Sequence, residues 1–525
     1  MSGEGFPHSD AASLRTAIVL LLPILSGMLA WASFPKVSQG YLAWIALVPL
    51  LVCILRIRTP MAAFCGGTAA GIVQFGASMY WIPAVVATYG GAPSPVAFIL
   101  FLLMVAILGS FAGLACMVTR HAMNRRGRAL LLVFIPAWVS LEYARSYLPF
   151  GGFPWLLTGY SLSEYARLIQ AADLVGVYGF SFLVVLANVA LVWLVMYRDR
   201  KWLAVVPAVV TATLVALCLA YGSAALRGWD ALQPDYRVAM LQGNLSIDEP
   251  QSQLKWKYIQ GYLGMADKAA AAKPDLLVLP EAPAPVIYQF DADYRETLSA
   301  LARRYPLGLI FNNISYREVE GTQRYCNSAF FLDGRGAEVG RYDKIHLVPF
   351  GEYIPLQKIF FFSQTISRDV GNFYPGGRYQ TVALQGRVLS ALICFEAVFP
   401  ELSREFVRRG SQLIVNLTND AWYGDSSAPY QHLTMARWRA IESRRYLLRA
   451  ANSGISAVIT PGGRIESQTA LLRQDIAVGR FAFLAGETFY IRHPGYLPIL
   501  CVIITLLIVF VSFGRRVTKP EASAS

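Results

Sequence analysis

The distribution of apolar positions divides the chain into two regimes. Long stretches almost free of charge occupy 14–33, 40–56, 61–86, 94–119, 129–146, 173–197 and 202–221, and another lies at 494–513. A helix needs roughly 20 apolar residues to cross a bilayer, so this pattern predicts about eight transmembrane helices. From about residue 235 the pattern changes to short β-rich runs alternating with amphipathic segments. YRVAMLQGN (236–244) reads as a strand, 251–272 as a helix, and PDLLVLPEAP (274–283) as a buried strand stopped by proline. LGLIFNNISY (307–316) and NSAFFLDGRG (327–336) read as further strands, the second closed by an Asp-Gly turn. RVLSALICFE (387–396), a helix to about Gly410, SQLIVNLTND (411–420), a helix across 430–448 and SGISAVITPGGR (453–464) complete the series. This alternation predicts an α/β domain built on a mainly buried central sheet covered by helices. The expected organisation is a transmembrane region of about seven helices at 1–222, an inserted α/β domain at 223–490, a last transmembrane helix at 491–514 and a tail at 515–525.

Basic residues orient this frame. Arg56 and Arg58 follow the second stretch, Arg120, Arg125, Arg126 and Arg128 the fourth, Arg198, Arg200 and Lys201 the sixth, and Arg515, Arg516 and Lys519 the last. Positive loops stay in the cytoplasm, which puts both termini there and the large insert outside, in the periplasm of a bacterium. Two further readings stay open: Arg15 with Ala30-Trp31-Ala32 also resembles a signal peptide and its cleavage site, and the NRRGR cluster at 124–128 could touch anionic headgroups. Hydrophobic residues make up 55% of the chain and charged ones 15%, which agrees with the membrane reading. The net charge of +13 sits largely in the short topology-setting loops rather than on one docking face, which argues against nucleic acid as a partner.

Of seven cysteines, Cys53, Cys65, Cys116, Cys218 and Cys501 fall in or beside apolar stretches, where a thiol behaves as a small hydrophobe. Only Cys326 and Cys394 belong to the inserted domain, and composition allows either a disulfide between them or a free thiol. Cys394 ends the strand VLSALI and precedes the helix-like FEAVFPELSREFVRR. A helix N-terminus there would lower the thiol pKa, and the backbone N–H of Phe395 would serve as an oxyanion donor. A buried structural cysteine at a strand end is the competing reading. Glu281, just past an apolar run, is placed for a desolvated carboxylate acting as general base. GRYDKIHLVPFGEYIP (340–355) adds Lys344 and then Glu352. Glu, Lys and Cys at the ends of three strands of one sheet would meet along one edge.

The order Glu281, Lys344, Cys394, set in LPEAP, YDKIHLVPFGEYIP and ICFE, resembles the nitrilase superfamily, whose members share a Glu-Lys-Cys triad on an αββα sandwich. With the membrane frame around it, nearly the whole chain is similar to the apolipoprotein N-acyltransferase family. GGFPWLLTGYS (151–161), LQGN (241–244), LKW (254–256), NDAWYG (419–424) and RAANSG (449–454) carry the same resemblance. It implies acyl transfer from a phospholipid, through a thioester on Cys394, to the α-amine of a diacylglyceryl-modified N-terminal cysteine of an apolipoprotein. Glu281 would move the protons, Lys344 and the Phe395 N–H would hold the oxyanion, and Glu352 would support Lys344. Glu396 would act as a supporting or lid contact, and Trp256 corresponds to a family position tied to activity. Family members often carry Tyr where this chain has Phe395, so no role requiring a hydroxyl carries over. No cofactor or metal is implied, and His8, His121, His346, His432 and His493 show no ligand spacing.

LQKIFFFSQ (356–364) places Phe360, Phe361 and Phe362 among turn residues, which suits either a lid at the bilayer surface or packing inside the domain. Trp155 reads first as an interfacial anchor and second as the lining of a lipid path. Two alternatives compete with the acyltransferase. A membrane-anchored amidase would use the same triad with water as acceptor. A transporter would need ionisable groups within the spans, which have few: Glu142 and Arg145 near one end of the fifth and Asp173 at the edge of the sixth.

Overall fold

The computed structural model describes residues 21–245, 255–349, 351–353 and 373–513. Residues 14–20 of the first apolar stretch and the phenylalanine segment at 356–364 lie outside them.

Among the described residues, three helices are long and apolar enough to cross a membrane: Ser94–Arg126, Leu168–Met196 and Lys201–Asp230. A fourth crossing is available if Pro60–Ser78 and Ile82–Thr88, bent by 60° at the intervening break, count as one. Shorter apolar helices occupy Leu21–Ala32, Gly40–Arg56 and Tyr496–Ser512. The stretch expected at 129–146 is a 3-10 turn, Arg128–Val133, followed by a 12-residue helix, Phe134–Arg145. Several apolar helices are thus present, fewer of them full-length than the eight that hydropathy suggests.

The described residues of the second half hold twelve strands: β1 Tyr236–Gln242, β2 Leu276–Val278, β3 Gly308–Val319, β4 Thr322–Leu332, β5 Glu338–Asp343, β6 Val382–Leu384, β7 Arg387–Ile393, β8 Leu413–Thr418, β9 Leu447–Ala451, β10 Ala457–Ile459, β11 Ile465–Gln468 and β12 Asp475–Phe481. They form two six-stranded sheets, ordered β12-β1-β2-β3-β4-β5 and β11-β10-β9-β8-β7-β6. In each sheet three successive strands, β1-β2-β3 and β9-β8-β7, pair in parallel and every other pairing is antiparallel. Side-chain alternation explains the layering. Val238, Met240, Leu276, Val278, Ile310 and Phe331 enter the core shared with the other sheet. Their neighbours Ala239, Leu241, Leu277, Leu309, Phe311 and Phe330 pack beneath the helices Lys255–Ala269 and Ala292–Ala302. Strands apolar on both faces read as continuous hydrophobic runs, which is why β2, β7 and β8 are visible in the sequence. Helices Pro400–Arg408 and Ala428–Ser443 pack against the second sheet, giving four layers, αββα.

The helix expected across 430–448 stops at Ser443, because Arg444 adopts a left-handed conformation (φ +51°), and β9 begins three residues later. Helix Ala428–Ser443 is buried along most of its length and docks on the hydrophobic half. Trp438 Nε1 donates to Ser163 Oγ (2.8 Å), Arg439 to the Tyr160 hydroxyl (2.9 Å), and the Val177 N–H to Glu442 Oε1 (3.0 Å). Val177 is free to donate there because Gly176 breaks the helical geometry (φ +62°).

Candidate active site

Glu281 follows β2, Lys344 follows β5 and Cys394 follows β7. β2 and β5 run in the same direction within one sheet, but β7 belongs to the other, so the expectation of a single sheet with one shared edge is corrected. The residues converge because the two sheets stack and their strand ends meet. The Glu281 N–H donates across the junction to the carbonyl of Thr418 at the end of β8 (3.4 Å).

The three polar groups are buried and mutually coupled. Lys344, 1% exposed, places Nζ 2.8 Å from Oε2 and 3.0 Å from Oε1 of Glu352, whose Oε2 also accepts the Val348 N–H (2.8 Å). Burial pulls the lysine pKa down, but the Glu352 and Glu281 carboxylates outweigh it and hold Lys344 above its ordinary range. It is a fixed ammonium. Burial raises the carboxyl pKa of Glu281; Lys344, an Asn327 hydrogen bond and the Cys394 thiol oppose that rise without cancelling it. Oε1 of Glu281 takes the Asn327 bond (3.0 Å), while Oε2 has no hydrogen-bond partner among the described residues. Such a carboxylate is a stronger base than usual, with one oxygen open to a proton.

Cys394 is 6% exposed. Burial and the Glu281 carboxylate push its thiol well up against the opposing pull of Lys344. The thiol is therefore protonated at rest, which corrects the expectation of a thiolate stabilised by a helix terminus. The segment after the cysteine is a 3-10 turn, Cys394–Val398, and the α-helix starts only at Pro400. Cys394 itself sits at φ +50°, a conformation non-glycine residues rarely adopt and one found at strained functional turns. Phe395, second in that turn, has no acceptor for its N–H within the turn. Cys326 and Cys394 are both free thiols.

Glu396 forms a clamp within the described residues; the segment expected as a lid lies outside them. One oxygen accepts the Ile393 N–H (2.8 Å); the other accepts the Tyr342 hydroxyl (2.7 Å) and the N–H groups of Ile345 (2.7 Å) and His346 (3.1 Å). It ties the cysteine turn to the segment that carries Lys344. Burial pushes its carboxyl up to about 7 against these donors. Trp256 lies elsewhere: it is 50% exposed, its ring contact is the Lys255 ammonium at 4.9 Å, and no hydrogen bond or ring contact among the described residues ties it to the triad.

Two groups escaped the sequence reading. Asn327 on β4 donates one amide nitrogen to both Glu281 and Glu352, and the Thr418 side chain opposes the upward shift of the Cys394 thiol. An asparagine in the run CNSAFFL (326–332), which is mostly apolar and wholly buried, is the signal that marks Asn327. Trp155, expected as an interfacial anchor, is 1% exposed; it stacks with Phe153 (5.8 Å, 14°), and both lie against Phe395 at 6.4 and 6.0 Å. The wall beside the Cys394 turn is therefore aromatic and supplied by the hydrophobic half. Among the described residues no group of three His, Cys, Asp or Glu side chains is arranged to hold a metal ion.

Residues 26–190 match the family described as apolipoprotein N-acyltransferase N-terminal domain, and residues 237–481 match the carbon-nitrogen hydrolase family. A Geobacter metallireducens apolipoprotein N-acyltransferase is 37% identical over 97% of this chain and 98% of its own length. The Methylococcus capsulatus and Pasteurella multocida proteins of that name are 34% and 30% identical, each over 90% of this chain and 92% and 91% of their own. Among solved structures, Saccharomyces cerevisiae Nit3 of the nitrilase superfamily is 18% identical with a TM-score of 0.37, over 52% of this chain and 95% of its own. Because the relatedness runs unbroken from the apolar helices through the sandwich that holds the thiol, this chain belongs to the apolipoprotein N-acyltransferase family.

Proposed function

We propose that the protein transfers an acyl chain from a phospholipid to the N-terminal amine of a diacylglyceryl-modified apolipoprotein, with Cys394 as the covalent carrier. The observation that carries this reading is the buried Glu281-Lys344-Cys394 set lying against an aromatic wall, Phe153 and Trp155, contributed by the membrane half. A nucleophile opening on that wall suits a lipid better than a soluble amide.

In the first half-reaction Glu281 Oε2 takes the thiol proton as Sγ attacks the ester carbonyl. The Lys344 ammonium and the Phe395 N–H hold the resulting oxyanion. Collapse breaks the ester C–O bond, Glu281 returns the proton to the departing alkoxide, and lysophospholipid leaves a thioester behind. In the second half-reaction the α-amine attacks the thioester. Glu281 accepts its proton, the C–S bond breaks as the amide forms, and Glu281 passes that proton to the departing sulfur, which regenerates the Cys394 thiol. The buried, apolar surroundings disfavour water as a competing acceptor. Glu352 keeps Lys344 charged and in place. The basic loops support an inner-membrane location with the sandwich in the periplasm and both termini in the cytoplasm.

The test uses purified protein in detergent with acyl-labelled phospholipid, comparing wild type with Cys394→Ala. A hydroxylamine-sensitive label on wild type alone, chased onto a diacylglyceryl peptide with a free amine, is the expected result. Release solely as fatty acid would make the protein a hydrolase and overturn the proposal.

A further inference from the structure

NDAWYG and RAANSG carry much of the family resemblance, yet the triad uses neither. Both converge on one side chain behind the nucleophile. His432, fully buried on helix Ala428–Ser443, places Nε2 3.0 Å from the carbonyl oxygen of Cys394. A carbonyl only accepts, so Nε2 carries the hydrogen whether the ring is neutral or charged. On the far side, Nδ1 lies 3.1 Å from both Asp420 Oδ1 and Arg449 Nη2. Asp420 Oδ2 accepts from Arg449 (2.6 Å), Oδ1 from the Thr418 hydroxyl (3.2 Å), and Arg449 also donates to Asn416 Oδ1. His432, Asp420 and Arg449 are all at 0% exposure. Burial and the Arg449 charge push the imidazole down, so the ring is neutral near pH 7 and Nδ1 accepts from Arg449. Gly454 completes the site: a Cβ there would stand 2.3 Å from Asp420 Oδ2, so the carboxylate occupies the space its missing side chain leaves.

The consequence lies in one peptide plane. The Cys394 carbonyl and the Phe395 N–H belong to the same planar trans peptide and point in opposite directions. A hydrogen bond that fixes the carbonyl therefore aims the N–H. We infer that His432, braced by Asp420 and Arg449, is a positioning residue that orients the Cys394–Phe395 peptide so that its N–H faces the developing oxyanion. The same bond explains how a non-glycine residue is held at φ +50°. The inference rests on the reading of Cys394 as the acyl-accepting nucleophile.

Two reactions of the intact protein in detergent separate this role from a general structural one. Acylation of Cys394 passes through an oxyanion, whereas alkylation by iodoacetamide is a displacement at carbon that forms none. His432→Gln keeps an N–H near the Nε2 position, and His432→Asn offers one only near Nδ1. Single-turnover acylation should fall about 10²-fold in H432N, the scale of losing one oxyanion donor, and only about threefold in H432Q. Iodoacetamide alkylation should stay within about threefold of wild type in both. Wild-type acylation in H432N, an equal loss in H432Q, or alkylation falling in step with acylation would each overturn the inference. Should H432N fail to fold, His432→Ala assayed with added imidazole replaces it. Restored acylation supports the role; none, in a folded variant, refutes it. An acyl p-nitrophenyl ester serves as a second donor, so a wild type that ignores phospholipid but acylates from the ester would sink the substrate reading and still test His432.

Discussion

Asn327 sets the chemistry of the base, and its removal has a calculable effect. Nδ2 donates to Oε1 of Glu281 (3.0 Å) and Oε1 of Glu352 (2.8 Å), and Asn312 fixes the side chain by donating to its Oδ1 (2.6 Å). Asn327→Ala deletes both bonds. Glu352 keeps Lys344 and the Val348 N–H, but Glu281 keeps only the thiol and the charge of Lys344. A hydrogen bond to a charged group contributes about 1.5–3 kcal/mol. At 1.36 kcal/mol per pKa unit, the Glu281 carboxyl should rise by about 1–2 units. The base works ionised, so activity is lost as pH falls through its pKa, and a raised pKa moves that acid limb upward. Single-turnover acylation of Cys394 measured from pH 5 to 9 should show the limb displaced by about 1–2 units, with much of the wild-type rate recovered on the alkaline side. An acid limb at its wild-type position, or an equal loss at every pH, would refute the assignment of Asn327 as the donor that tunes the base.

Lys344→Met leaves the buried Glu281 and Glu352 carboxylates without their shared cation, and acylation should drop by about 10²–10³-fold, measured by label on Cys394. Glu396 has a carboxyl pushed to about 7 from an ordinary 4.5, so the stability it lends through proton uptake is full below about 4.5 and lost as pH rises through 7. Glu396→Gln cannot titrate; the stability difference between wild type and E396Q should shrink by about 3 kcal/mol over that interval, read from denaturation in detergent at each pH. Gly176→Ala adds a Cβ 2.4 Å from the Tyr490 ring at a backbone φ of +62°, and should lower stability by about 1–3 kcal/mol in the same measurement.

How much of this was legible depended on whether a signal is local. The strand ends carrying Glu281, Lys344 and Cys394 stand out because apolar runs stop at polar residues, a feature of a few adjacent positions. Which sheet each strand joins is set by pairing across distant segments, so the split of Glu281 and Cys394 between two sheets left no trace in spacing. Hydropathy marks every apolar stretch but does not distinguish a crossing helix from a short one such as Phe134–Arg145. The thiol pKa was misjudged for a related reason: a helix terminus is a local inference, whereas full burial beside a carboxylate is a tertiary one, and burial dominates. Trp155 reads as an interfacial residue from its place between apolar stretches, but its partners Phe395 and Gln431 lie more than two hundred residues away.

The proposed base, Glu281, and the proposed nucleophile, Cys394, follow strands of different sheets, so their geometry depends on how the sandwich closes, and one helix bears on that closure from both sides. Adjacent residues of helix Ala428–Ser443 face opposite tasks. Gln431 accepts the Trp155 indole N–H (2.8 Å) and donates to the carbonyls of Pro35 (2.9 Å) and Ser78 (3.2 Å), all in the hydrophobic half. His432 holds the carbonyl of the nucleophile. On the proposed mechanism, an acyl chain that displaced the aromatic wall would act on the same turn that aims the Phe395 N–H. Interiors packed this closely transmit strain rather than absorb it. On the proposed mechanism, two consecutive side chains of one helix would link the seating of an acyl chain against Trp155 to the presentation of the oxyanion donor, giving the hydrophobic half a part in the chemistry beyond anchorage.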